Sequence, residues 1–223
     1  DTNVTYGFNE DAKYRIVDYN YVNGLANVVI NDGVRDVKFE NLPLRGKFNI
    51  ENFCAAFAVA SVLKCDYDKI ACATRKFKGV CRRFEIKFEN ERVTLIDDYA
   101  HHPEEINCLI EAIREIYPDK KVCGVFQPHL FSRTQMFMDE FATVLSKFDE
   151  MYLLDIYPAR EMPIEGVTSN KKKEKINVGK GNVVMRNIVP QIFKKSDADI
   201  FVTIGAGNVD RMIDEIIDML KMK

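Results

Sequence analysis

With 223 residues the chain has room for one large or two modest domains. Hydrophobic residues make up 47% and charged residues 30%, which excludes a disordered or fibrous chain and predicts a globular protein with a real core. A formal net charge of −2 excludes partners held by bulk electrostatics, so neither a nucleic-acid nor a membrane partner is expected.

No run approaches the roughly 20 apolar residues of a membrane span, and no basic-then-apolar leader opens the chain. The chain starts without a methionine, directly on strand-like sequence, and reads as a piece of a longer protein. Cys54, Cys65, Cys72, Cys81, Cys108 and Cys123 include no C-x-x-C pair and no zinc-like Cys/His spacing. They are read as reduced, buried thiols of a cytoplasmic protein.

In chain order, Tyr14–Tyr19 and Ala26–Ile30 are rich in β-branched and aromatic residues and predict strands. Asn31-Asp32-Gly33 predicts a tight turn into a third strand, Val34–Phe39. Phe53, Ala56, Phe57, Ala60 and Leu63 recur at helical spacing, so a helix begins near Ile50. A second helical stretch covers Tyr67–Phe77, and Lys78-Gly79-Val80 is a candidate junction.

Beyond the junction, strands and helices alternate. Strands are predicted at Val93–Ile96, Val122–Phe126, Met151–Ile156 and Ile200–Ile204. The intervening helices carry Ile106, Leu109, Ile110, Ile113 and Ile116, then Phe137, Phe141, Val144, Leu145 and Phe148. Val209–Leu220 predicts a closing helix, and Lys171–Lys175 a solvated charged stretch. This alternation predicts an α/β fold, a mostly parallel sheet with helices on both faces.

In such sheets ligands gather beyond the carboxyl ends of the strands. The only histidines, His101, His102 and His129, all fall just past predicted strand ends, and a purely structural role would scatter them. The first cluster is Asp97-Asp98-Tyr99-Ala100-His101-His102-Pro103-Glu104-Glu105. Adjacent carboxylates on an extended chain point to opposite sides, so one can hold a ligand hydroxyl while the other anchors the loop. Pro103 suits the first turn of a helix, and Glu104 and Glu105 its positive end. A capped helix start with two surface histidines fits the same residues, as does a metal site, although further spaced ligands are lacking.

The second cluster, Gln127-Pro128-His129-Leu130-Phe131-Ser132-Arg133-Thr134, offers His129 and Arg133 as donors to a carboxylate. Its plain alternative is a loop whose Ser132 or Thr134 caps the next helix. Asp155-Ile156-Tyr157-Pro158-Ala159-Arg160-Glu161 also follows a strand, as does Gly205-Ala206-Gly207, where small residues allow close approach of a ligand or tight packing. Arg82 and Arg83 at the junction could reach a phosphate or be a solvated pair. No G-x-x-x-x-G-K-[ST] occurs, so the chain cannot by itself cradle a triphosphate in a phosphate loop.

Together these motifs resemble the Mur ligase family over nearly the whole chain. The D-D-Y-x-H-H-P-x-E, Q-P-H-x-[YF]-[ST]-R-T and D-I-Y-P-A-x-E-x-P-I-x-G stretches and the G-A-G segment appear in the family's order. Leu44–Ala58 resembles its asparagine-bearing helix entry. The resemblance implies that 1–81 ends a central ATP-binding domain and that 82–223 is a Rossmann-like domain for the incoming amino acid. It also implies ATP and Mg2+, with the phosphate loop, the metal ligands and an N-terminal domain supplied in cis outside this chain.

The branch it resembles joins UDP-N-acetylmuramate to L-alanine through an acyl phosphate in the bacterial cytoplasm. The chain alone is then expected to be inactive. By resemblance, Asn49 and Asn52 contact adenine, while Arg83 and Arg82 approach the ATP phosphates. Asp98, supported by Asp97, holds the ribose or orders its loop. Tyr99, His101, His129 and Arg133 line the amino-acid site, with Arg133 on the carboxylate. Arg83, Asp98 and His101 are the expected catalytic set, and no metal ligands are expected.

Two departures from the pattern stand out: Phe48 replaces a histidine, and Leu130 an arginine that would bind carboxylate. The rival expectations are a related ligase that attaches a preformed tripeptide, a non-catalytic nucleotide-binding module, and a metal hydrolase using His101 and His102.

Overall fold

The computed structural model describes residues 3–223. The chain divides into two compact units, one running to Gly79 and including Glu111–Pro118, the other comprising Val80–Ile110 and Asp119–Lys223.

In the first unit β1 (Tyr6–Gly7), β2 (Tyr14–Val22), β3 (Leu25–Asn31) and β4 (Asp36–Leu42) form a sheet in chain order. The expected turn between β3 and β4 is closed by Asp32, whose carboxylate accepts the N–H groups of Val34 and Arg35. The helices are α1 (Lys47–Val62) and α2 (Tyr67–Arg75). The buried stripe of α1 runs through Ile50, Phe53, Cys54, Phe57 and Ala58, the i, i+3, i+4, i+7, i+8 pattern of a 3.6-residue helix. Ala56 and Leu63, expected on that face, fall outside it and are exposed. Phe39, Phe53 and Phe57 meet edge-on or stacked at the centre of this core.

The second unit contains β5 (Glu85–Glu89), β6 (Thr94–Asp98), the first part of α3 (Pro103–Ile116, whose residues from Glu111 on belong to the first unit), β7 (Val122–Phe126), α4 (Phe131–Met136) and α5 (Met138–Leu145). Then follow β8 (Glu150–Leu153), α6 (Ser169–Lys175), α7 (Val189–Lys195), β9 (Ile200–Ile204) and α8 (Ile213–Leu220). The sheet order is β5-β6-β9-β7-β8, with the last four strands parallel and β5 antiparallel at the edge. The two faces alternate along each strand. Leu95, Cys123, Val125 and Phe201 pack on one face with Phe193 of α7 and Ile216 and Leu220 of α8. On the other, Phe126 meets Phe141 of α5. The expected α/β architecture is therefore present.

Four expectations need correction. The helix expected through Phe137–Phe148 is α5, which ends at Leu145 and leaves Phe148 beyond it; Phe137, at φ −113°, closes α4 and opens α5, and its ring packs on His102, 4.5 Å between centroids. The closing helix begins as a 3-10 turn, Val209–Met212. The charged stretch is the helix α6, and Lys172 within it is fully buried, its ammonium 3.7 Å from the Phe141 ring centroid. Only Cys54 and Cys123 are buried; the other four thiols are exposed. Cys108, for example, lies between Ile106 and Leu109, off the buried stripe of α3.

Candidate active site at the carboxyl edge of the parallel sheet

The ends of β6 and β9 are joined by the two adjacent aspartates. Asp97 faces Thr203 of β9 in register and accepts its hydroxyl at 2.5 Å. Its other oxygen takes the Arg82 Nε–H at 2.9 Å. Asp98 points the opposite way, as an extended chain requires, and accepts the backbone N–H groups of Phe84 at 2.7 Å and Ala100 at 2.8 Å. Burial raises both carboxyls, Asp98 to about 6. Every oxygen of this pair is thus engaged within the chain, so both aspartates brace the loops around them.

Arg82 is a brace as well. Besides Asp97 it donates to the Gly205 carbonyl at 2.5 Å, and its guanidinium lies 5.0 Å from the Tyr99 ring centroid. Arg83 is exposed, and its charge acts on Asp98. The residues flanking Arg83, Arg82 and Phe84, both have positive φ, 57° and 46°. Non-glycine residues rarely adopt that conformation, which is held here by Asp98 and by the Tyr99 N–H donated to the Arg82 carbonyl.

Beyond β6, Glu105 in the first turn of α3 reaches back to accept the N–H groups of His101 and His102, half of a capping box, and lies 3.3 Å from His101 Nδ1. This capping orients His101 towards the loop after β7. A row of rings results: Tyr99 to His101 at 5.5 Å, His101 to His129 at 6.3 Å, and His129 stacked on Tyr157 at 5.6 Å. Tyr157 enters through a short parallel pairing, its N–H bonding the Pro128 carbonyl and its carbonyl accepting the Leu130 N–H. It was absent from the expected site. Its position after a strand was a usable signal, but its pairing with His129 is a long-range contact.

Neither Ser132 nor Thr134 caps α4. Glu161 does so from the next loop, accepting the Ser132 N–H at 3.0 Å and its hydroxyl at 2.5 Å. The Ser132 contacts hold the Glu161 carboxyl below the usual range. Leu130 turns the chain into α4 at φ 70°. Three polar atoms here are buried and have no partner, His129 Nδ1, Arg133 Nη1 and Thr134 Oγ1. Burial, with the charges of Arg133 and His101, lowers the His129 pKa and so favours the neutral ring.

Between the ends of β7 and β9, Gly205 at φ 137° brings its Cα against the Gln127 carbonyl, where a Cβ would lie 2.6 Å away. The glycines here serve tight packing. Asn49 and Asn52 lie on α1 of the first unit; Asn49 donates to the Arg45 carbonyl, and Asn52 is exposed. Among the described residues no three His, Cys, Asp or Glu side chains converge to hold a metal ion, and no helix is long and apolar enough to cross a membrane.

Residues 82–212 match the family described as Mur ligase, glutamate ligase domain. The chain belongs to the Mur ligase family. It is 45% identical over 222 residues to a UDP-N-acetylmuramate–L-alanine ligase of Flavobacterium johnsoniae, covering 97% of this chain and 48% of that protein. It is 43% identical over 213 residues to the like-named ligase of Flavobacterium psychrophilum, covering 96% and 48%. The chain thus spans about half the length of these relatives. Its fold matches a UDP-N-acetylmuramate–alanine ligase of Thermotoga maritima with a TM-score of 0.79 at 22% identity, covering 99% of this chain and 48% of that one. A MurF ligase from Thermotoga maritima in complex with ADP matches with a TM-score of 0.64 at 20% identity, over 97% and 48%.

Proposed function

We propose that the protein carrying this chain is a UDP-N-acetylmuramate–L-alanine ligase of peptidoglycan synthesis. The lactyl carboxylate of the UDP-sugar takes the terminal phosphoryl group of ATP, giving an acyl phosphate and ADP. The amine of L-alanine attacks the acyl carbon, and the tetrahedral intermediate expels phosphate. Such chemistry rests on positioning and on neutralising developing charge.

One observation carries the amino-acid half of this reading: the buried, unpartnered Arg133 Nη1 and His129 Nδ1 beside the ring row. Buried donors of this kind call for an acceptor, and a carboxylate satisfies both. A neutral His129 can present an N–H at Nδ1, and Tyr99 and His101 continue the ring row beside it.

Residues 82–223 form the amino-acid-binding part in this proposal, and 1–81 close the ATP-binding part. Asn49 and Asn52 meet adenine; the Asn49 amide nitrogen is committed to Arg45, leaving its oxygen for a base N–H. Arg83 is the arginine left to meet phosphate, since Arg82 is tied to Asp97 and Gly205. Asp98 acts by ordering the Phe84 and Ala100 backbones rather than by proton transfer. Mg2+, which neutralises phosphate charge, and its ligands belong to the half of the protein that this chain does not span.

The test is ATP-dependent ligation by the intact protein, offered free L-alanine or a preformed tripeptide. Turnover with L-alanine is expected. Turnover with the tripeptide alone would replace this reading with that of the tripeptide-adding ligase.

A further inference from the structure

On the face of the second sheet that carries α7 and α8 lies a cleft of about 630 Å³. It opens where the loop after β7 and the loop after β9 diverge. Those neighbouring strands send their following helices to opposite faces, the arrangement that creates a ligand crevice in open α/β sheets. His129 and Arg133 do not line it.

Part of its wall is polar and tied together by hydrogen bonds, beside the apolar Leu154, Val184, Met185 and Met212. The Gln127 side chain donates to Asn208 Oδ1 at 3.0 Å and accepts the Asn208 N–H at 2.8 Å, and Arg186 Nη2 donates to the same Asn208 oxygen. Arg186 Nε is buried without a partner. Around the cleft stand two guanidiniums, Arg186 and Arg211, and two carboxylates, Asp155 and Glu215. Among the described residues none of the four belongs to an ion pair, although Arg211 and Glu215 are one helical turn apart.

We propose that this cleft is a second small-molecule site, separate from the His129–Arg133 cluster, for a zwitterion of short-peptide size. The ligand's carboxylate meets the Arg186 and Arg211 guanidiniums, whose forked donors suit it, and its ammonium meets Asp155 and Glu215. Equal numbers of unpaired cations and anions match a ligand carrying both charges, where a single-sign wall would select a simple anion. The volume is that of an ordinary small-molecule pocket, far larger than one alanine needs.

The test is calorimetric titration of the intact protein in an Arg133→Ala background, which removes the other candidate carboxylate site. The probes are trialanine, N-acetyl-trialanine and trialanine amide. Trialanine is expected to bind saturably, each blocked form about tenfold or more weakly, and Arg211→Gln and Glu215→Gln to weaken trialanine about tenfold. Both substituted residues are exposed, so the variants keep the fold. No saturable binding of trialanine, equal binding of the blocked forms, or binding indifferent to both substitutions would overturn the proposal. Each outcome is independent of whether the protein ligates alanine.

Discussion

The ammonium of Lys172 lies over the Phe141 and Phe126 rings with no hydrogen-bond partner, and burial lowers its pKa from 10.5 to about 7. Between those values the unfolded chain binds more protons than the folded one, so stability rises with pH through that window, by up to about 1.4 kcal/mol per unit. Lys172→Met keeps the packing volume and removes the charge. Denaturant titration at pH 7 and pH 9 is expected to show the variant more stable at pH 7, with the gap narrowing at pH 9. A constant difference would mean that Lys172 is not the titrating group. Nothing in Asn170-Lys171-Lys172-Lys173 marks the middle lysine as buried, because its partners arrive from α5 and β7. At the same scale Asp97, Asp98, His101 and His129 were recognisable from residue type and placement after a strand. Their division into braces and open donors depends on hydrogen bonds that no linear pattern displays.

Among the elements, the loops after β7 and β8 form one device. Tyr157 pairs with the backbone on either side of His129, and Glu161 clamps the start of α4, the helix that carries Arg133. Glu161 is therefore a positioning residue. Glu161→Ala is expected to raise the alanine KM several-fold and leave the ATP KM unchanged, and Glu161→Gln, whose amide oxygen still accepts from Ser132, to restore much of the loss. Because the Glu161 carboxyl is held low, the clamp is complete above the usual carboxylate range and lost only as pH falls through the lowered value. Equal effects of Ala and Gln on both KM values would reduce Glu161 to a general structural role. The sequence displayed each loop separately, and a plain helix-capping role for Ser132 or Thr134 was an equally good reading. What it lacked was the pairing of the loops, as it lacked the turn of the Phe137 ring onto His102.

Across the whole molecule, the alternation of apolar runs and amphipathic stretches was enough to read the parallel sheet and its two helical layers. Strands such as β7 and β9 are buried throughout, almost wholly apolar and bounded by turn residues, so they stand out. The strand order was not legible, since placing β9 between β6 and β7 is a property of crossover topology. That order is what brings Thr203 to Asp97 and opens the crevice beside Gln127.

The central claim is that the His129–Arg133 cluster receives the carboxylate of L-alanine. Steady-state kinetics of Arg133→Ala in the intact protein tests it most directly. Loss of a charge-assisted carboxylate contact costs about 2 kcal/mol, so the alanine KM is expected to rise about 30-fold while the ATP KM stays within about twofold. An unchanged alanine KM, or an equal rise in both, would remove Arg133 from the amino-acid site and contradict the account.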